Sequence, residues 1–420
     1  MSSRKGLLKS LPRNREKKDF FAVILFGFIT ICSIFVFYKS ESNTSDLPRI
    51  YLICEEEIQK DDYINCKFKI MCGDFFYDTE FIDAEIKLRG NSVCNYPKKP
   101  FRVNLVKKHS LLEMRRDDDW YLFASYFDCS RLRYKLSFDL WRTLQYDNPT
   151  AILPETKYVT VYLNGDYQGF YLLGERCDKK LFDLDDAQDN INSSLIFQAK
   201  GRTFFRNYKK DKDSWEQDWP NENEDIEIMD EILTDLFDFV FHSDDYAFFN
   251  STNNIYSKFD RDNLIDFFLF NFFILHYDFW CKNFYIVRDT YPSKFFLIPW
   301  DFDESFGQFA WERYDADEND EADIRFRSEL YNRLLDNDEF KQGCRDRWSE
   351  LRDELWTEDF ILDMVSDMYE DIEDLLDLEY QMWGDVKENH QGYTFKDCVD
   401  YLFDWIPERL KFCDNYFSEY

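Results

Sequence analysis

Glycine and proline are scarce in this 420-residue chain, at 12 and 10 copies. So few turn-forming residues exclude collagen-like, elastic and mucin-like chains and argue against an all-β array. Histidine is scarcer still: only His109, His242, His276 and His390 are present for acid–base chemistry. No C-x-x-C pair or Cys/His cluster has the spacing of a zinc site. No G-x-S-x-G elbow is available to a serine hydrolase. Bases are outnumbered too, with 52 Lys and Arg against 84 Asp and Glu, a formal charge of −32. That field repels phosphate backbones and excludes nucleic acid as a partner. A phosphate-bearing ligand would need the field reversed locally, by a few bases or a metal.

What the chain does have is apolar bulk. Hydrophobic residues make up 45% and aromatics 20%, with 44 Phe, which excludes global disorder. The length allows one to three domains around a real core. Phe20–Tyr38 is an unbroken uncharged run, long enough as a helix to cross about 30 Å of hydrocarbon. Arg4, Lys5, Lys9, Arg13, Arg15, Lys17 and Lys18 precede it. That asymmetry predicts a type II signal anchor: a cytosolic basic tail (1–19), a membrane span (20–38) and a stalk (39–48). The catalytic part is then expected in the ER/Golgi lumen or outside the cell, with the membrane as a partner through Phe20–Tyr38. Sequons at Asn43, Asn192 and Asn250 give weak support for glycosylation. Ten cysteines follow the span. Disulfides and a mixture of bonded and free thiols are both open.

From 49 to about 107 the apolar pattern alternates, as strands do. Leu132, Leu136, Leu140 and Leu144 give 128–144 helical spacing. Lys157–Glu175 reads as a hairpin around Asn164-Gly165, and Leu195–Lys200 as a further strand. Beyond about 230 helices dominate, including the Phe-rich segment Asn263–His276. The expectation is an α+β, bilobed layout behind a transmembrane helix, with a β-rich N-lobe (49–200) and a helical C-lobe (201–420). The acidic segments 211–231 and 311–323 read as solvated loops or insertions. Attraction of a basic protein substrate is the alternative for the second.

The chemistry concentrates in His276–Gly307. Asp278 precedes Asn283 by five residues, strands are expected at Phe284–Arg288 and Lys294–Ile298, and Trp300-Asp301-Phe302-Asp303 follows. Phosphoryl transfer needs a carboxylate to orient the attacking hydroxyl and hard oxygen ligands for a divalent metal. This order supplies both. His276 is read as a core or orienting residue. Upstream, Lys87-Leu88-Arg89-Gly90 and Lys98, Lys99 and Arg102 form a rare basic concentration, a candidate phosphate cradle.

Several strings then resemble the CotH kinase family in the family's order. They are IKLRGNSVCNYPKKPFRVNL at 86–105, DDWYLFASYFDCSRLRYKLSFDL at 118–140, VTVYLNGDYQGFYLLGE at 159–175 and FQAKG at 197–201. YDFWCKNFYIV at 277–287 and FFLIPWDFDESFG at 295–307 complete the set and are the most distinctive. The resemblance implies an atypical protein-kinase-like fold that uses ATP and Mg²⁺ or Mn²⁺ to phosphorylate Ser/Thr in secreted or surface proteins. It implies Asp278 as the catalytic carboxylate and Asn283 as its metal-binding partner. Asp301 would be the principal metal ligand and Asp303 would assist. Arg89, Lys98 and Lys99 would meet phosphate, Glu175 would lie near the hinge or pair with a lysine, and Lys200 is a rival phosphate lysine. Helix 128–144 carries no Glu for the usual kinase Lys–Glu pair. The alternative is a catalytically inactive CotH-like surface or adhesion protein. A metal-dependent hydrolase using the same carboxylates lacks a ligand cluster of the usual spacing.

Overall fold

A computed structural model of the chain describes residues 46–73, 77–90, 93–201, 205, 214–220, 228–308, 318–321, 327–384 and 393–420. The basic tail, Phe20–Tyr38 and parts of both acidic segments lie outside the described residues.

Alternation in the first half closes a barrel. Its strands are β1 (Arg49–Cys54), β2 (Ile64–Met71), β3 (Ile82–Leu88), β4 (Phe101–His109), β5 (Asp117–Phe123), β6 (Thr156–Leu163) and β7 (Asp166–Glu175). They run in the order β1-β2-β3-β4-β5-β7-β6. Neighbours are antiparallel except β1 and β6, whose parallel pairing shuts the barrel. Side chains point alternately in and out, so one face of each strand can fill the interior. Ile50, Phe68, Ile86, Val103, Trp120 and Val161 do so, each 0% exposed. Between β6 and β7, Asn164 and Gly165 have φ of 52° and 93°. A two-residue type I′ turn requires positive φ at both positions, so this hairpin follows directly from its Asn-Gly dipeptide.

A second, antiparallel sheet follows the order β11 (Phe296–Pro299), β10 (Phe284–Arg288), β8 (Leu195–Ala199), β9 (Trp215–Trp219). The helices are α1 (Arg133–Thr143), α2 (Ile228–His242), α3 (Ile255–Lys258), α4 (Arg261–Phe273), α5 (Glu329–Leu335), α6 (Asp338–Glu354), α7 (Glu358–Trp383) and α8 (Phe395–Ser418). Helix α4 starts at an Asp260 cap and buries Asn263–Phe273 on every side, as a helix through the middle of a core does. Asn263 satisfies its amide against β11: Nδ2 donates to the Leu297 carbonyl at 3.0 Å and Oδ1 accepts from the Leu297 N–H at 2.7 Å. Arg409 of α8, also 0% exposed, donates to the terminal carbonyls of Phe272 and Phe273 in α4. A cation at that end complements the helix dipole and fills otherwise orphaned acceptors.

The expected bilobed layout is corrected. Leu47–Tyr420 forms one compact unit. A boundary at 200/201 would cut the second sheet, because β8 pairs with β10 rather than with any barrel strand. The barrel is also tied to the C-terminal helices, through Lys98 before β4 and Glu379 of α7. The fold is mixed α/β: a closed seven-stranded barrel, a four-stranded sheet and helices around them. The anchor is corrected as well. No helix among the described residues is long and apolar enough to cross a membrane. The type II assignment, its lumenal orientation and the membrane partner are therefore not carried forward.

Gly307 tests the packing behind the second sheet. Its φ is 79°, and a Cβ there would lie 2.6 Å from Tyr401 Oη and 2.8 Å from Trp405 Nε1. Gly307→Ala should cost about 1–3 kcal/mol, since strain and overpacking act together. A lower urea midpoint at unchanged slope is the expected reading.

Candidate active site

The chain leaves α4 through Leu275, at φ 54°, and enters a single 3₁₀ turn, Tyr277–Trp280. His276 sits between them, 1% exposed, its Nδ1 2.9 Å from Asn271 Oδ1. Burial pulls its pKa down to about 4, against the opposing fields of Asp278 and Asp301, so the ring is neutral at pH 7. This is the core position expected for it. Asp278 opens the turn and forms an ion pair with Lys282 one turn later. Burial works against the Lys282 charge, but its hydrogen bond to Asp278 and the fields of Asp278 and Asp301 outweigh it and raise the pKa.

Asn283 and Asp301 stand at the two ends of the β10–β11 hairpin. The Asn283 N–H donates to the Ala199 carbonyl at 3.0 Å, and its carbonyl accepts from the Trp300 N–H at 2.9 Å. Both residues are left-handed, at φ 61° and 66°. That backbone region is uncommon outside glycine, and Asn and Asp tolerate it best. Both line one cavity. Tyr134, in the first turn of α1, donates its hydroxyl to the Asp301 carboxylate.

That cavity has a volume of about 530 Å³, within the range of small-molecule sites. Seven bases line it (Lys60, Lys87, Arg89, Arg102, Arg176, Lys200 and Lys282) against four acids (Asp61, Glu216, Asp218 and Asp301). The local excess is 7 − 4 = +3, in a chain of −32. Some of these bases are already engaged: Arg102 with Asp119, Arg176 with Asp218, and Lys200 with Glu216. Burial, then the like charges of Arg102 and Arg176, hold Lys87 below the ordinary lysine range. An anion in the cavity would relieve that repulsion. Arg89 spreads its guanidinium over Tyr121 and Phe123, at 4.2 and 4.4 Å from the ring centres, and its Nε is buried without a hydrogen-bond partner.

Of the proposed site residues, Arg89, Lys200, Asn283 and Asp301 meet in this cavity. Asp303 lines a small recess next to it, with Arg89, Lys98 and Tyr134. Burial, then Asp301 and Glu304, hold the Asp303 carboxyl well above the usual range. Asp278, Lys98, Lys99 and Glu175 do not line the main cavity, and Asp278 meets it only through its partner Lys282. Lys98 is buried, donates to the Phe170 carbonyl at 2.6 Å and pairs with Glu379. Its burial lowers its pKa to about 8, with Glu379 opposing. Lys99 donates to the Cys94 carbonyl at 2.8 Å. Glu175 faces Arg115, and burial raises its pKa. A buried Lys–Glu pair thus exists, but its Glu comes from α7, 281 positions away. Residue reading also missed Tyr134, Arg176 and Asp218, which carry no motif and join the site only through the fold.

Among the described residues, no three or more His, Cys, Asp or Glu side chains gather as a metal site. A Mg²⁺ ion needs less: it is usually held by one or two protein ligands, with phosphates and waters completing its shell. Asp301 and Asn283 share the cavity, and Tyr134 engages only one Asp301 oxygen, so this donor set fits such an ion.

The chain matches the family model described as CotH kinase protein over residues 86–413. It belongs to the CotH kinase family. It is 23% identical over 398 residues to the inner spore coat protein H of Bacillus subtilis (strain 168), across 90% of this chain and 99% of that protein. In this CotH-family chain the matched residues run from β3 to α8 and contain Arg89, Tyr134, Asp278, Asn283 and Asp301.

Lys98→Ala separates a structural from a phosphate-binding role. Removing the cation leaves buried Glu379 with Arg131 as its remaining charged partner. Chemical denaturation should show a loss of about 3–5 kcal/mol.

Proposed function

We propose that the chain is a protein serine/threonine kinase that uses ATP and Mg²⁺ or Mn²⁺. The observation that carries this reading is the cationic cavity with Asp301 and Asn283 at its edge, in a chain whose overall field is strongly acidic. A triphosphate is the anion that such a concentration of Lys and Arg suits. Arg89 and Lys200 are the phosphate contacts, with Arg102 and Arg176 deepening the positive field. The chemistry a divalent ion would supply, if held there, is positive charge against the phosphoryl group in transfer.

The chain's own residues supply the rest. Asp301 and Asn283 would hold the ion, and the Tyr134 hydrogen bond fixes the Asp301 carboxylate. Asp278 accepts the proton of the incoming Ser/Thr hydroxyl. Lys282, which both pairs with Asp278 and lines the cavity, links that carboxylate to the cavity wall. Neutral His276 supports the turn without titrating near pH 7. The partner is a protein substrate, and the acidic surface favours a basic one. A second reading, a CotH-like binding protein without transfer, is favoured by one observation: Lys98 and Glu379 pair away from the cavity.

Incubating the chain with γ-labelled ATP and Mg²⁺ or Mn²⁺ should label the chain itself or a basic protein. Chelating the metal should stop labelling. Asp301→Ala should cut the rate about 100-fold or more with the fold intact by circular dichroism. Metal-dependent ATP binding without transfer to any protein would favour the binding-protein reading.

A further inference from the structure

Two cysteines face each other inside the barrel. Cys54 ends β1 and is the register partner of Cys66 in antiparallel β2. Both side chains point inward and are 7% and 5% exposed. Directly opposed residues of an antiparallel pair have Cα atoms about 4.5 or 5.5 Å apart, both inside the disulfide range of roughly 4.4–6.8 Å. The backbone is fixed here: the Cys54 N–H donates to Asn164 Oδ1 at 2.8 Å. Both sulfurs are thiols in this structure. The Cys66 thiol donates to Cys54 and lowers its pKa, which marks Cys54 as the better nucleophile of the pair.

The segment between them belongs to the candidate site. Within the segment 55–65 that the two cysteines close, residues 55–63 form the loop before β2, and Lys60 and Asp61 in it line the cavity. The Leu88 N–H donates to the Gln59 carbonyl at 2.8 Å, and Lys87 lies over the Tyr63 ring at 4.6 Å. A bond at the base of this loop would therefore restrain one wall of the cavity.

We infer that Cys54 and Cys66 form a disulfide that pins the 55–63 loop as the rim of the cavity. With a glutathione disulfide as oxidant the chemistry balances. The Cys54 thiolate attacks one glutathione sulfur and releases a glutathione thiolate. The Cys66 thiolate then attacks Cys54 Sγ in the mixed disulfide and releases the second. The protein gives up two electrons and two protons, and the glutathione disulfide becomes two thiols. The bond itself does not rest on the kinase reading, so its test needs no activity.

The full chain is equilibrated across ratios of glutathione disulfide to glutathione, quenched with N-ethylmaleimide and digested without reduction. A Cys54–Cys66 linked peptide should appear as the ratio rises and vanish with dithiothreitol. Trypsin cleavage after Lys60 should be about tenfold slower in the oxidised than in the reduced native chain, because cutting requires the rim to open. Cys54→Ser and Cys66→Ser should each cleave like the reduced chain at every ratio. If either variant does not fold, the oxidised and reduced wild-type chains still provide the comparison. Both cysteines alkylated at every ratio, or linked to other cysteines, would overturn the bond. A Cys54–Cys66 link that leaves Lys60 cleavage unchanged would overturn the pinning.

Discussion

Arg133 holds the site together from behind. It is fully buried at the start of α1, and its guanidinium reaches Asp128 at 2.8 Å, the Ser305 carbonyl at 2.9 Å and the Phe306 carbonyl at 3.3 Å. Those carbonyls belong to the loop that follows Asp301. Its neighbour Tyr134 turns to the other side and donates to the Asp301 carboxylate. One turn of α1 thus fixes both the backbone of the loop and the side chain at its head. Burying a guanidinium is costly unless its donors are satisfied and its charge is matched, and Arg133 meets both conditions.

The same logic governs the other scarce cations. Arg131 donates to the Ser125, Tyr126 and Asp128 carbonyls and pairs with Glu379, drawing the segment before α1 against α7. Lys98 joins the same Glu379 from the barrel side. Arg409 holds the end of α4. In a chain of −32, these bases are not spread over the surface to balance charge. Some act inside, as multidentate donors to backbone carbonyls, and others crowd the wall of one cavity. Global acidity and a cationic site are therefore compatible: the field that a ligand meets is set by the residues within a few ångströms.

What could be read from the chain was local. The Asn164-Gly165 hairpin, strand β10 and the run from Asp278 to Asp301 all follow from contacts between near neighbours in sequence. The closed barrel did not, because its closure depends on β1 finding β6 in parallel, far along the chain. Strand β8 was recognised as a strand but assigned to the wrong layer, since alternation gives a strand without naming its partner. The basic cluster shows the same limit in the candidate site. Lys87, Arg89, Lys98, Lys99 and Arg102 are close in sequence, yet strand alternation and turns send Lys98 into the interior and Lys99 to a loop carbonyl, leaving the other three on the cavity. Arg176, Asp218 and Tyr134 complete the site from three other elements, and no spacing rule connects them.

The loop after β11 shows how the chemistry and the backbone fit each other. In the Asp-Phe-Gly turn of protein kinases a glycine follows the phenylalanine, and here Asp303 follows Phe302. The left-handed positions lie elsewhere: Asp301 at φ 66°, Phe306 at 46° and Gly307 at 79°, with Asp303 not among them. Glycine's freedom is needed four residues later, where Gly307 packs against Tyr401 and Trp405 of α8 and a side chain would collide. Asp303 can therefore carry a carboxyl at no backbone cost, and its burial beside Asp301 makes it costly to ionise. A carboxyl held in that state next to a cationic cavity is one whose charge depends on what binds nearby. The departure from glycine thus adds an acid to the site, while the turn geometry is supplied by residues 306 and 307.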